Sequence, residues 1–351
     1  MKKIRVLIVE DSRVVRQFLE HLIRSDPRLE VAAAVESAEE ALRILLDAQP
    51  DVISMDIRLP GMNGFEATRR IMEQRPTPIV VVSASVEAED LQISMNALRA
   101  GALAVVEKPV GTTHQDYQSL AERLCTQLAI MSQVKVVRQR PGRVRSAECG
   151  VRSEDKNPKR SPPIAFRMLG VAASTGGPQA LVQLLGSLPS TFPLPIIVVQ
   201  HITASFLDGF ASWLGTVCPF AVSLAKDREL ARPGRVYLPP ADRHLRVEGS
   251  LLCWDRGEPI CLQRPSGTVL FRSMAKSLGR GGLAVLLTGM GEDGAVGLSE
   301  VRAAGGWTIA EAESTAVVYG MPGAAVRLGA ACEELPLPQI GPRIVELTRE
   351  V

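Results

Sequence analysis

The sequence predicts an α/β protein of two domains, each built on a doubly wound parallel sheet with helices on both faces. Three observations carry this. The chain has 351 residues, more than one hydrophobic core ordinarily serves. Short β-branched runs alternate with segments whose apolar residues recur at helical spacing, the pattern of parallel strands covered on both sides. A basic stretch containing several prolines separates the two halves.

In the first half the spacing predicts strands at Arg5–Val9, Glu30–Val35, Val52–Met55, Ile79–Val82 and Ala102–Val106. In the second half it predicts Met168–Ala172, Pro195–Val199, Arg235–Leu238, Ala284–Leu287 and Thr308–Glu311. No internal repeat relates the two. The expected division is a first domain over 1–125, a basic linker over 126–163 and a second domain over 164–351. Charge marks the middle: residues 134–163 carry 9 Lys+Arg against 3 Asp+Glu, whereas 1–133 carry 15 against 19 and 164–351 carry 16 against 16. A nucleic-acid-binding arm is one reading of that run; a solvated tether is the commoner outcome for such segments.

With 46% hydrophobic and 22% charged residues the chain has the composition of a globular protein, and with aromatics at 4% its cores must be aliphatic. Six cysteines without a Cys-x-x-Cys pair, and four histidines without a His-x-x-x-His pair, argue against a zinc site or a disulfide framework. The apolar run Val6–Val9 is cut by Glu10 and Asp11, so no export signal is expected, and no apolar run approaches the roughly 20 residues needed to cross a bilayer. The expectation is a cytoplasmic protein without membrane insertion.

In an open parallel sheet, ligands bind beyond the carboxyl ends of the strands. In the first domain those positions hold Glu10 and Asp11, Asp56, Ser83, and Lys108 followed by Pro109. Carboxylates gathered at one rim suit Mg²⁺, Asp56 can take up a phosphoryl group as nucleophile, and an ammonium and a hydroxyl can meet its oxygens. These residues, with Asp56-Ile57-Arg58-Leu59-Pro60-Gly61-Met62-Asn63-Gly64, resemble a response-regulator receiver domain. The resemblance implies a flavodoxin-like strand order, phosphorylation of Asp56 by a histidine kinase, and Mg²⁺ held by Glu10, Asp11 and Asp56. It also implies phosphoryl sensing by Ser83 and Lys108, and a cis bond at Lys108–Pro109. The chain departs from the family at Val105, where receivers usually carry a switch aromatic.

In the second domain Met168–Ala172 runs into Ala173-Ser174-Thr175-Gly176-Gly177-Pro178 and then into helical spacing at Leu181, Leu184, Leu185 and Leu188. Ser174 thus sits at a strand-to-helix turn, like the nucleophile of an elbow, although Ala172 occupies the elbow's first glycine position. A helix cap or a phosphate-cradling loop would also fit Ser-Thr-Gly-Gly. A serine nucleophile needs a base and an acid that orients it. His201 follows a strand directly while His244 lies beyond a double proline, so position favours His201. For the acid, Asp293 follows the strand Ala284–Leu287 within Thr288-Gly289-Met290-Gly291-Glu292-Asp293-Gly294; Asp208, Asp227 and Asp242 lack that placement.

Together with Gln200-His201, Pro240-Ala241-Asp242-Arg243-His244, Arg264-Pro265-Ser266 and Tyr319-Gly320-Met321-Pro322, these stretches resemble the catalytic domain of CheB-type protein-glutamate methylesterases. The resemblance implies a Rossmann-like three-layer hydrolase domain with Ser174, His201 and Asp293 as the triad, and backbone N–H groups near Thr175 and Met290 for the oxyanion. Its expected activity is removal of methyl esters from glutamate side chains of chemoreceptor helices, with deamidation of receptor glutamines, under control of the receiver. It implies Mg²⁺ at the receiver, no cofactor for the esterase, no nucleic acid, and recruitment to membrane receptor arrays. Two alternatives remain at this stage: an esterase serving a non-motility array, and a DNA-binding transcriptional regulator, the latter disfavoured by the balanced charge of 164–351.

Overall fold

A computed structural model describes residues 2–83, 96–97, 100–108, 114–134 and 166–349. The first sheet contains β1 (Ile4–Val9), β2 (Leu29–Val35), β3 (Val52–Asp56), β4 (Ile79–Ser83) and β5 (Ala104–Glu107), in the order β2-β1-β3-β4-β5. Every pairing is parallel. All residues of β3 and β4 are buried, as expected for strands covered on both faces. Around the sheet lie α1 (Arg13–Ser25), α2 (Ala38–Ala48), α3 (Gly64–Gln74) and α4 (His114–Met131). The first three begin where Ser12, Ser37 and Asn63 accept N–H bonds from Val15, Glu40 and Glu66.

Two expectations shift. Strand β5 begins at Ala104 rather than Ala102, because the Ala102 N–H turns back to the Ala97 carbonyl at 3.0 Å before the ladder with β4 forms. Helix α4 runs to Met131, past the expected boundary at 125, because Leu124, Leu128 and Met131 are buried in the first domain's core. Pro109 and residues 135–163 of the expected linker lie outside the described residues.

The second sheet has seven parallel strands in the order β15-β14-β13-β6-β7-β10-β8. They are β6 (Met168–Ala173), β7 (Ile196–Gln200), β8 (Ala221–Leu224), β10 (Arg235–Leu238), β13 (Gly282–Leu286), β14 (Trp307–Glu311) and β15 (Glu333–Leu335). Side chains alternate between its faces. Leu169, Val171, Ile196, Val198, Leu283 and Val285 face α5 (Gly177–Gly186), α6 (Ala204–Val217) and α10 (Leu337–Arg349). Met168, Ala172, Ile197, Val199, Ala284 and Leu286 face α7 (Gly267–Leu278), α8 (Ala295–Ala303) and α9 (Met321–Arg327). The three-layer expectation holds, with an addition that the sequence did not announce. Strands β9 (Glu229–Leu230), β11 (His244–Glu248) and β12 (Leu251–Asp255) form a small antiparallel sheet, folded by the two-residue turn Gly249-Ser250 and packed through Leu245, Val247 and Leu252.

The two bodies touch. Gln179 Nε2 donates to the Ala102 carbonyl at 3.1 Å, and Ser205 Oγ to Glu107 Oε2 at 3.2 Å. Val317 and Val318 pack against the core cluster that holds Leu124 and Leu128. Among the described residues no helix is long and apolar enough to cross a membrane.

Candidate active site

Strand β6 lies between β13 and β7, so the chain leaves it in one direction and later returns on the other side. At such a switch point the strand ends open a crevice. Ser174 is the first residue beyond β6. Its N–H donates to the Thr288 carbonyl at 3.0 Å, and its own carbonyl accepts from the Gly177 N–H at 2.8 Å, closing the turn into α5. Gly176 takes φ +77°, and a Cβ there would come within 2.5 Å of Val317 Cβ, so the turn tolerates no side chain. Pro178 occupies the first turn of α5, where its missing N–H costs nothing.

His201 is the first residue beyond β7, fastened by its N–H to the Ala173 carbonyl at 3.0 Å. Its Nε2 lies 2.8 Å from Asp293 Oδ2. An ionised carboxylate only accepts, so Nε2 carries a hydrogen, and in the neutral ring Nδ1 keeps the lone pair. That Nδ1 is buried and meets no hydrogen-bond partner among the described residues. Asp293 is 1% exposed and sits against the N-terminus of α7. Its Oδ1 accepts from Ser266 Oγ at 2.6 Å and from Thr268 N at 3.1 Å, and its Oδ2 from Gly267 N at 2.6 Å. Burial by itself would raise this carboxyl, but the hydrogen bond and the charge of His201, followed by the donors from Ser266 and Gly267, outweigh it and hold the pKa at about 2. Asp293 is therefore ionised wherever the protein is folded near neutrality.

Ser174, Thr175, His201 and Met290 line one cleft of about 570 Å³, whose opposite wall is Leu103–Glu107, Glu122, Thr126 and Gln127 of the first domain. The rival candidates lie elsewhere. His244, on β11, accepts from Ser266 N at its Nδ1 (3.1 Å) and has Nε2 3.1 Å from the Glu258 carbonyl. It is a buried neutral histidine with both nitrogens used. Asp227 accepts from Trp254 N at 2.8 Å, Asp242 from Arg264 at 2.7 Å, and Asp208 lies on α6. Sequence reasoning missed Ser266 and Glu311. Ser266 caps α7 and donates to Asp293; Glu311, the last residue of β14, accepts from the N–H of Thr288 at 2.8 Å and is raised by burial. The strand-end rule that found the other residues also points to Glu311.

At the rim of the first sheet, Glu10, Asp11 and Asp56 each offer a carboxylate oxygen within 4.8 Å of the others. Lys108 Nζ lies 2.9 Å from Glu10 Oε2 and 2.7 Å from Asp56 Oδ2. Burial, followed by the charge of Asp56, pushes the Glu10 carboxyl up, and burial likewise raises Asp56, in each case against the pull of Lys108. One ammonium thus leaves the trio short of positive charge, which suits a dication. Ser83 is 2% exposed at the end of β4, and its carbonyl accepts from Lys108 N at 2.9 Å. Val105 is half-buried and lines the cleft that holds Ser174.

The fold and these two rims define a phosphoacceptor-type switch domain joined to an α/β enzyme domain. Residues 6–116 match the family model for the response regulator receiver domain, and residues 169–344 that for CheB methylesterase. The chain is 56% identical over 346 residues to the protein-glutamate methylesterase/protein-glutamine glutaminase 2 of Paramagnetospirillum magneticum, covering 99% of this chain and 98% of that one. It is 45% identical to the corresponding protein 4 of Myxococcus xanthus, covering 99% and 97%. Among solved structures, the catalytic domain of Thermotoga maritima CheB methylesterase aligns with a TM-score of 0.50 at 34% identity, covering 52% of this chain and all of that one. The chain belongs to the CheB methylesterase family, and is a hydrolase coupled to a receiver domain.

Proposed function

We propose that the chain removes methyl esters from glutamate side chains of chemoreceptors through Ser174, His201 and Asp293, and deamidates receptor glutamines at the same site. The observation that carries this is the His201–Asp293 pair, which turns a lone-pair nitrogen away from the acid in the cleft that holds Ser174. Ser174 Oγ attacks the ester carbonyl carbon as His201 Nδ1 takes its proton. N–H groups near Thr175 and Met290 receive the developing oxyanion. The C–O bond to methoxide then breaks, His201 returns the proton to it as methanol, and a water activated by His201 frees the glutamate carboxylate. With a glutamine, ammonia leaves in place of methanol.

The receiver, which extends through the helix ending at Met131, is the control, joined to the hydrolase at 164–351 by the basic tether. A histidine kinase supplies the phosphoryl group to Asp56, with Ser83 and Lys108 meeting its oxygens. Glu10, Asp11 and Asp56 would hold Mg²⁺, which neutralises the transferring phosphoryl group when bound. The wall that Leu103–Glu107 adds to the cleft supports a closed state in which the receiver restricts access to Ser174. Work at receptor arrays on the cytoplasmic side follows from this substrate.

Methanol release from methyl-labelled chemoreceptor membranes tests the reading, with and without a small phosphodonor and Mg²⁺. Wild type should release methanol faster with the phosphodonor, Ser174→Ala should release none, and Asp56→Asn should lose the response. Release by Ser174→Ala at the wild-type rate would remove the nucleophile from the mechanism.

A further inference from the structure

Gln200 is the last residue of β7 and is 3% exposed. Its side-chain Nε2 lies 2.8 Å from the main-chain carbonyl oxygen of Ser174 and 3.0 Å from that of His201. A carboxamide nitrogen has two hydrogens, so one group serves both acceptors; the flipped amide would set Oε1 against two carbonyl oxygens. The pairing of β6 with β7 ends at Ala173↔Gln200. Beyond it the chains separate, one into the turn at Ser174 and the other into the loop at His201. The Gln200 amide spans that gap as one more rung of the ladder.

Two details bind this rung to the chemistry. The Ser174 carbonyl that Gln200 holds is also the acceptor for the Gly177 N–H that closes the turn into α5. At the other end of the amide, Oε1 is buried without a hydrogen-bond partner among the described residues, and a Cβ on Gly177 would collide with it. A buried, half-satisfied amide is unfavourable for the fold and calls for a reason. Here it spans the residues proposed as nucleophile and base.

We infer that Gln200 is a positioning residue that sets the approach of Ser174 Oγ to His201 Nδ1 and so the rate of ester attack; this rests on the roles proposed above for those two residues. Each carbonyl it holds is bonded to the Cα that carries the reacting side chain. Releasing either peptide plane therefore swings Oγ or the imidazole without touching substrate.

The test uses the full chain with a phosphodonor and Mg²⁺, and p-nitrophenyl acetate as a small ester. Gln200→Met keeps the length and loses both donors; Gln200→Glu keeps the shape and, ionised, also has no N–H to give. Both should fall about 100-fold in kcat with KM nearly unchanged, as expected for a displacement on the order of 1 Å. Labelling of Ser174 by a fluorophosphonate should slow in parallel, while thermal unfolding shows Gln200→Met fully folded at the assay temperature. Wild-type kcat in Gln200→Met would overturn the inference. So would a loss explained by an unfolded fraction, with the folded remainder labelled at the wild-type rate. Ser174→Ala runs alongside: if it alone is inactive and Gln200→Met is not, the inference fails and the proposed nucleophile stands, whereas activity in Ser174→Ala removes both.

Discussion

Ser266 joins two tasks in one hydroxyl. It donates to Asp293 Oδ1 and accepts from Thr268 N at 3.1 Å as the cap of α7. Ser266→Ala should lower stability by about 1 kcal/mol, the usual worth of a cap, and should slow ester hydrolysis by loosening the acid; thermal unfolding and esterase assays check the two losses. Asp293 sets an acid limb. Its carboxyl falls from an ordinary 3.8 to about 2 in the fold, so its share of stability is complete above pH 4 and is lost as pH falls through 2. Asp293→Asn should flatten urea-measured stability between pH 4 and 2, with about 2 kcal/mol at stake. Ser174 and His201 stood out in the sequence because each follows a buried strand directly, and Asp293 because it lies in the glycine-rich loop after another. Glu311 is a strand-end residue that the same rule reaches, but like Gln200 it acts by bonding main-chain groups on another segment, and no spacing rule announces such a bond.

At the scale of elements, the loop after β13 presses on the turn after β6. A Cβ on Gly289 would collide with Met321 Sδ and lie 2.8 Å from Ser174 Cβ. Gly289→Ala should therefore cut kcat about 100-fold, a near-angstrom displacement of Ser174, with the receiver still phosphorylated normally; esterase and phosphorylation assays on one preparation separate the two. The turn at Ile260–Gln263 carries strain instead. Cys261 and Leu262 take φ +51° and +62°, and Leu262 is 94% exposed. Replacing the pair by Asn-Gly, which prefers that conformation, should stabilise the protein by about 1 kcal/mol, read as a higher melting temperature. The buried parallel strands stood out as β-branched runs. The edge strands Ala221–Leu224 and Glu333–Leu335 did not, being short and only partly buried, and the antiparallel sheet hid behind one Gly-Ser turn.

For the whole molecule, the contact between the bodies includes, among the described residues, hydrogen bonds from Gln179 and Ser205 and apolar packing at Val317 and Val318. The alternation of two sheets and their division by charge were visible in the chain, but not the face on which they meet, since surface residues such as Gln179 and Ser205 follow no period. Glu107→Ala combined with Gln179→Ala removes these two hydrogen bonds. Basal esterase activity should rise about fivefold, in line with the modest worth of two such bonds, and the phosphodonor response should shrink correspondingly; activity ratios with and without phosphodonor measure it.

Lys108 holds Asp56, and its neighbour Glu107 receives the hydroxyl of Ser205 on the hydrolase. Input and output therefore share a single peptide bond. A receiver of this build is not an interchangeable cartridge: a chimera carrying another receiver, however well it takes up phosphate, should couple to this hydrolase more weakly unless its residue after the fifth strand's apolar run also finds Ser205.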